Sequence, residues 1–478
     1  MRRRPNILFV MADDHAAHAI GAYGSRVNQT PHLDRLAAAG MRLDNCFCSN
    51  SICAPSRAAI LTGTYNHVNG VTTLSAPFDS AQPTFPATLQ AAGYQTAIFG
   101  KWHLGHGPGH DPVGFDEWRV LPEQGDYHDP EFLSAAGRER LLGYVTDIIT
   151  DLSLDWISSR DPSRPFCVLV HHKAPHRSWE PDARHQGLYA GWEMREPVTL
   201  HDDYANRSTA ASQAQMRMTD LEPEDVKEVP PGGLVGEELD SWLYQRFIKD
   251  YLRCVASIDD NMGRLLDFLD AEGLSENTVV VYTSDQGFFL GDHGWFDKRF
   301  MYEESLRMPL LVRYPREVPP ASVCPELVLN VDFAQTLLDL ADVDGPPRMQ
   351  GRSMRGLLRG EPPKDWRRAV YYRYWEHDGG HGVWAHYGVR TERYKLIYYY
   401  NDGLGQPGAS DAVFPPEWEL FDLESDPYEL RSVYDDPAYA TVRDELTREL
   451  HRQQHEIGDR PHPTDSDSSA AVRRPPAQ

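Results

Sequence analysis

The chain has 478 residues, a formal net charge of -24 and 41 % hydrophobic residues. This length exceeds one ordinary core and suits a large domain with a smaller companion. The acidic balance argues against a surface that coats nucleic acid or another polyanion, because such surfaces carry a basic stripe.

The N-terminus enters an apolar run at residues 7–11 that is too short for a secretory leader and ends at Asp13 and Asp14. No run approaches the ~18 apolar residues of a membrane span, so the expectation is a soluble, cytoplasmic protein, with export left open. Thr30-Pro31 opens a helix that stops at Gly40, and Pro55 suits the first turn of a helix beginning near Cys53, with Arg57 one turn on. Pro86 opens another that ends near Gly93, after which residues 96–99 form a buried strand leading to Lys101 and His103. A second buried run, residues 166–170, leads to His171, His172, Lys173 and His176. Residues 177–240 have little periodicity and read as a surface excursion over a substrate mouth. Residues 258–269 have helical spacing, and the run at 278–282 leads to Asp285 and Gln286.

Strands alternating with helices imply a mostly parallel sheet between helices, with ligands outside the carboxyl ends of its strands. That is where these polar groups fall. After Pro363 the pattern changes to aromatic-rich strands at 370–374, 386–391, 394–400 and 418–423, then a helix over 438–455. The expected organisation is a catalytic domain over 1–365, a small antiparallel sheet and helix over 366–458, and a disordered polar tail over 459–478.

Asp13, Asp14, Asp285 and Gln286 are all oxygen donors. Three carboxylates brought together repel one another unless a cation lies between them, and all-oxygen ligation suits Ca²⁺ or Mg²⁺ rather than zinc. Taken alone, an Asp-Asp pair reads first as a helix cap or a solvated turn. Six cysteines are too sparse for a disulfide framework, and Cys46 and Cys48 read as packing residues.

Residues 53–63 read Cys-Ala-Pro-Ser-Arg-Ala-Ala-Ile-Leu-Thr-Gly, which resembles the signature of the type I sulfatases. In that family a maturation enzyme oxidises the cysteine to formylglycine, whose hydrate supplies a nucleophilic hydroxyl. Gly-Lys-Trp-His-Leu-Gly at 100–105, His-Lys-Ala-Pro-His ending at His176, and Gly-Trp-Phe-Asp-Lys-Arg around Lys298 match the family in the same order. The resemblance implies an alkaline-phosphatase-like α/β fold with a small C-terminal α+β domain, and calcium rather than magnesium on Asp13, Asp14, Asp285 and Gln286. It assigns the nucleophile to Cys53. Arg57, Lys101 and Lys298 would stabilise the sulfuryl oxygens, His176 would protonate the leaving alcohol, and His103 would deprotonate the second hydroxyl.

Further stretches, among them residues 143–149, 296–304 and 386–391, resemble bacterial N-acetylglucosamine-6-sulfatases. The expected substrate is a sulfated sugar, with Asp292, His293, His386 and Arg390 as candidate sugar partners. His386 and Arg390 equally serve to tie the small domain to the large one. An arylsulfatase or alkyl sulfatase, a phosphonate monoester or phosphodiester hydrolase, and a sulfated-glycan binder with an unconverted Cys53 stay open as alternatives. So does assembly into a homo-oligomer.

Overall fold

The computed structural model describes residues 4–465. Its centre is an eleven-stranded sheet in which Thr278–Ser284, Asn6–Ala12, Phe166–His171, Gln95–Lys101 and Glu117–Leu121 lie side by side and run parallel. Nearly every residue of the first four is buried, which is why their sequences are continuous apolar runs without alternation. The flanks add antiparallel strands. Leu310–Arg313 pairs with Thr278–Ser284 on one side, and the Glu131–Ser134 and Gly137–Arg140 hairpin extends Glu117–Leu121 on the other. Helices cover both faces, so the core divides into two apolar clusters, one on each side of the sheet.

Parallel neighbours place their carboxyl ends on one edge, and the register is tight there. Ala12 pairs with Ser284, Met11 with His171, and His171 with Gly100. Gly100 has φ +105°, and a β-carbon on it would lie 1.9 Å from the carbonyl oxygen of His171. Only glycine lets the strand carrying Lys101 approach its neighbour so closely.

The helix expected near residue 53 is Cys53–Thr62, buried along its whole length and closed by Gly63 at φ +63°. The expected helix at 258–269 is the last third of a much longer one, Glu237–Ala271. The 177–240 segment is mostly irregular but firmly anchored. Trp179 packs on Phe247, and Tyr204 stacks on Trp295.

The second sheet is an antiparallel meander of Ala369–Tyr374, His386–Thr391, Tyr394–Tyr399 and Glu417–Asp422, backed by the helix Ala440–Ile457. The tail expected to be disordered from residue 459 departs from that reading in its first seven residues. Asp459 accepts from Tyr371 and pairs with Arg373, while Asp465 accepts from Tyr387 and meets His451. Local composition looks polar because these acids answer buried partners far away in sequence. Residues 466–478 of that expectation lie outside the described residues.

Candidate active site

The carboxyl edge gathers every residue expected there. Asp13 and Asp14 follow the first strand, and Asp285 and Gln286 follow Thr278–Ser284; all four are almost wholly buried. One oxygen from each of Asp13, Asp14 and Asp285 lies within 4.8 Å of the other two. The backbone N–H of Asp14, a residue in the left-handed region at φ 66°, donates to Asp285 Oδ1 at 3.1 Å. Cations neutralise the cluster. Lys101 bonds Asp13, Lys298 Nζ lies 2.7 Å from Asp14 Oδ2, and Arg57 brackets Asp285 Oδ2 with Nε at 3.0 Å and Nη2 at 2.9 Å.

Opposing forces set the protonation of these acids. Burial raises all three, but at Asp13 the attraction of Lys101, His176 and Arg57 wins and holds the carboxyl well below its usual range. At Asp14 burial wins over Lys298 and lifts the carboxyl to about 6; at Asp285 burial, with Asp13 beside it, lifts it to about 7. Two of the three acids are thus pushed upward chiefly by burial, which disfavours their charged forms.

The donor set fits a hard divalent cation. Three carboxylate oxygens converge, and the amide oxygen of Gln286 is buried without any hydrogen-bond partner while its nitrogen faces Asp14 and Cys53. An orphaned amide oxygen beside three carboxylates is a ligand of the kind oxygen-seeking cations take.

Cys53 starts its helix 3.5 Å from Asp13 Oδ1 and 3.7 Å from Gln286 Nε2. Burial and Asp13 push its thiol upward, so as encoded it stays protonated and is a poor nucleophile. Its position among acceptor, donor and metal ligands fits a hydroxyl-bearing side chain better than a thiol. Arg57, one turn on, reaches a second group: besides Asp285, its Nη1 donates to the carbonyl of Lys101 at 2.9 Å.

His176 Nδ1–H donates to the carbonyl of Arg177 at 2.9 Å, which leaves Nε2 facing the cluster 3.7 Å from Asp14 Oδ2. His103, at φ 55°, lies two residues beyond the strand end at Lys101. Burial, reinforced by Lys101, holds both imidazoles neutral.

None of the four expected sugar partners joins this cluster. His386 is fully buried, with Nδ1–H donating to the Trp384 carbonyl at 2.7 Å and Nε2 accepting from Met301 N–H at 3.1 Å. Rings of Phe300, Tyr372, Tyr374 and Tyr399 enclose it. His293 is equally buried and bonds Asp202 at 2.9 Å. Asp292 pairs with His18 at 3.2 Å and Arg390 with Glu303 at 3.1 Å; these two line a separate cavity of about 400 Å³ that contains no member of the cluster. The contacts of His386 and Arg390 tie the strand His386–Thr391 to Met301 and Glu303. The polar groups contiguous with Lys298 are instead Asp297, Arg299, Glu376 and His381. Lys298 Nζ lies 4.0 Å from Asp297 Oδ2, which His381 meets at 3.4 Å, and Arg299 joins Asp297 to Glu376 at 3.2 Å each. Asp297 and Arg299 flank Lys298 in the quoted motif, which was the available signal.

An all-oxygen cation site, flanked by two lysines and two neutral histidines at the strand ends of an α/β sheet, defines a metal-assisted hydrolase of an anionic ester. The family model described as Sulfatase matches residues 5–343, and that described as N-sulphoglucosamine sulphohydrolase, C-terminal, matches residues 291–456. The chain belongs to the sulfatase family and is a sulfuric ester hydrolase. The N-acetylglucosamine-6-O-sulfatase of Bacteroides thetaiotaomicron is 42% identical over 503 residues, covering 96% of this chain and 87% of that one. The N-acetylglucosamine-6-sulfatase of Capra hircus is 30% identical over 396 residues, covering 78% of this chain and 66% of that one. A solved structure of a protein in complex with its substrate D-glucosamine-2-N,6-O-disulfate is similar with a TM-score of 0.90 at 42% identity, over 95% of this chain and 98% of that one.

Proposed function

We propose that this sulfatase removes the 6-O-sulfate from a glucosamine residue, N-acetylglucosamine-6-sulfate first, using calcium and a formylglycine made from Cys53 by a maturation enzyme. The observation that carries the substrate is the likeness at 42% identity, across almost the whole chain, to a named N-acetylglucosamine-6-O-sulfatase and to a complex with a 6-O-sulfated glucosamine.

Charge supports the metal. The three carboxylates and the cations Arg57, Lys101 and Lys298 that contact them balance one another. A divalent ion on Asp13, Asp14, Asp285 and Gln286 would make the site net positive, which an anionic ester needs in a chain of charge -24. Calcium suits the flexible all-oxygen set, and when bound it polarises a sulfuryl oxygen. The converted side chain supplies a hydroxyl nucleophile where the buried thiol cannot act.

The chain's own groups divide the remaining work. Lys101 and Lys298 each have three N–H donors, and after their carboxylate bonds each retains at least one for a sulfuryl oxygen. Arg57 locks Asp285 against the carbonyl of Lys101, fixing a metal ligand and a sulfate-binding lysine relative to the nucleophile's helix. Lys298 carries N–H donors toward the leaving O6; His176, whose one proton is fixed on Nδ1, turns its Nε2 to the same place and acts as the acid only after that nitrogen takes up a proton, and His103 takes the proton of the second hydroxyl. Asp297, Arg299, Glu376 and His381 offer donors and acceptors for ring hydroxyls.

The test is sulfate release from N-acetylglucosamine-6-sulfate by calcium-supplied protein whose conversion at residue 53 is verified by peptide mass spectrometry. Release far above that from an aryl sulfate is expected. Faster hydrolysis of an aryl sulfate or a phosphodiester would remove the sugar assignment and leave the catalytic one.

A further inference from the structure

The turn at residues 122–125, just beyond the parallel strand Glu117–Leu121, sends one side chain into the cluster. Gln124 Oε1 accepts from Lys101 Nζ, and its amide nitrogen lies 3.2 Å from His103 Nε2. The turn is pinned a second time, because the backbone N–H of Glu123 donates to His106 Nε2 at 3.3 Å.

The orientation of this amide follows from donor counting. An ammonium group has donors only, so the Gln124 oxygen must face Lys101. The NH₂ is then left for His103, and a ring nitrogen facing an N–H donor must be the one with the lone pair. A neutral imidazole has a single proton, which therefore falls on Nδ1. His103 Nδ1 is buried and has no partner. A buried N–H without a partner is costly, so the tautomer is set by the contact at Nε2 and not by anything at Nδ1.

We propose that Gln124 is a positioning residue that holds His103 in the Nδ1–H tautomer and ties that ring to Lys101, keeping a lone pair on Nε2; the second hydroxyl displaces the Gln124 NH₂ from that lone pair when it hands His103 its proton. Burial and Lys101 keep the ring neutral, as a defined tautomer requires. The same amide thus links the lysine that meets the sulfuryl group to the histidine that acts as base. Its effect on rate rests on the proposed role of His103, whereas the tautomer itself does not.

The experiment uses the full chain with Cys53 unconverted, labelled with nitrogen-15 at histidine, and His103→Gln to assign the His103 signals. Wild type is expected to show a protonated Nδ1 and an unprotonated Nε2. In Gln124→Glu the carboxylate keeps Lys101 but offers no N–H, so Nε2 gains a proton. Gln124→Leu loses both contacts and leaves a tautomer mixture. After conversion, both variants should lower kcat roughly tenfold to a hundredfold, part of the ~10²–10⁴ that a positioned acid or base supplies. A wild-type ring protonated at Nε2, or a spectrum unchanged in Gln124→Glu, would overturn the proposal whatever the substrate proves to be. Inactivity of wild type on the 6-sulfated sugar would count against the proposed function alone.

Discussion

His386→Ala separates a sugar-binding histidine from a structural one. The imidazole is fully buried inside four aromatic rings and serves two backbone groups, accepting from Met301 N–H and donating to the Trp384 carbonyl. Truncation leaves both unsatisfied, at about 1–3 kcal/mol each, and opens a cavity that costs about 1–2 kcal/mol more, scaled from apolar truncations to a ring that is itself polar. The expected loss is about 3–8 kcal/mol, a large share of the ~5–15 kcal/mol that holds an ordinary domain together. Met301 lies in the segment after Phe296–Asp297 and Trp384 just before the strand His386–Thr391, so the damage should appear where that strand packs on the 301 segment. The assay is urea unfolding followed by tyrosine and tryptophan fluorescence, with activity on a sulfated sugar and an aryl sulfate measured at low temperature. Both activities should fall together, in proportion to folded protein, with KM unchanged. A variant that unfolds like wild type while KM rises for the sugar alone would refute this reasoning and return His386 to the substrate.

Three further perturbations test other parts of the structure. Exhaustive chelation of the converted enzyme should abolish sulfate release and lower the melting temperature, and excess calcium should restore both, adding about 2.7 kcal/mol at a hundred times its Kd; indifference to chelation in both measurements would dismiss the cation site. Arg57→Lys keeps the charge but cannot bracket Asp285 and reach the Lys101 carbonyl together, so kcat should drop roughly a hundredfold with little change in melting. Full activity in that variant would show that the clamp is unnecessary. Ending the chain at Gly458 strips Asp459 from buried Arg373 and Asp465 from His451, and should destabilise the small sheet by roughly 3–5 kcal/mol. Melting identical to that of the full chain would mean that these contacts contribute nothing.

What the sequence made legible follows from where topology puts chemistry. Asp13, Lys101, His176 and Asp285 each come directly after, or within a few residues of, a strand buried on both faces, and parallel order alone carries those ends to one edge. The helix signals around Cys53 worked for the same reason, since Pro55 and Gly63 act through local backbone geometry. His386 failed because a histidine near a domain boundary looks reactive until its surroundings are known. One hint was present: it lies on the same face of its strand as Gly388, where a β-carbon would come within 2.6 Å of Met301 Sδ. That face is packed against Met301, not open to a ligand. Asp297 and Arg299 were adjacent to a recognised lysine, and their importance came only from reaching His381 and Glu376 of a segment some eighty residues away. Gln124 had no local signal at all. It is an ordinary turn residue whose meaning depends on the ammonium it meets at one end and the ring it meets at the other, and both contacts exist only once the strands are assembled.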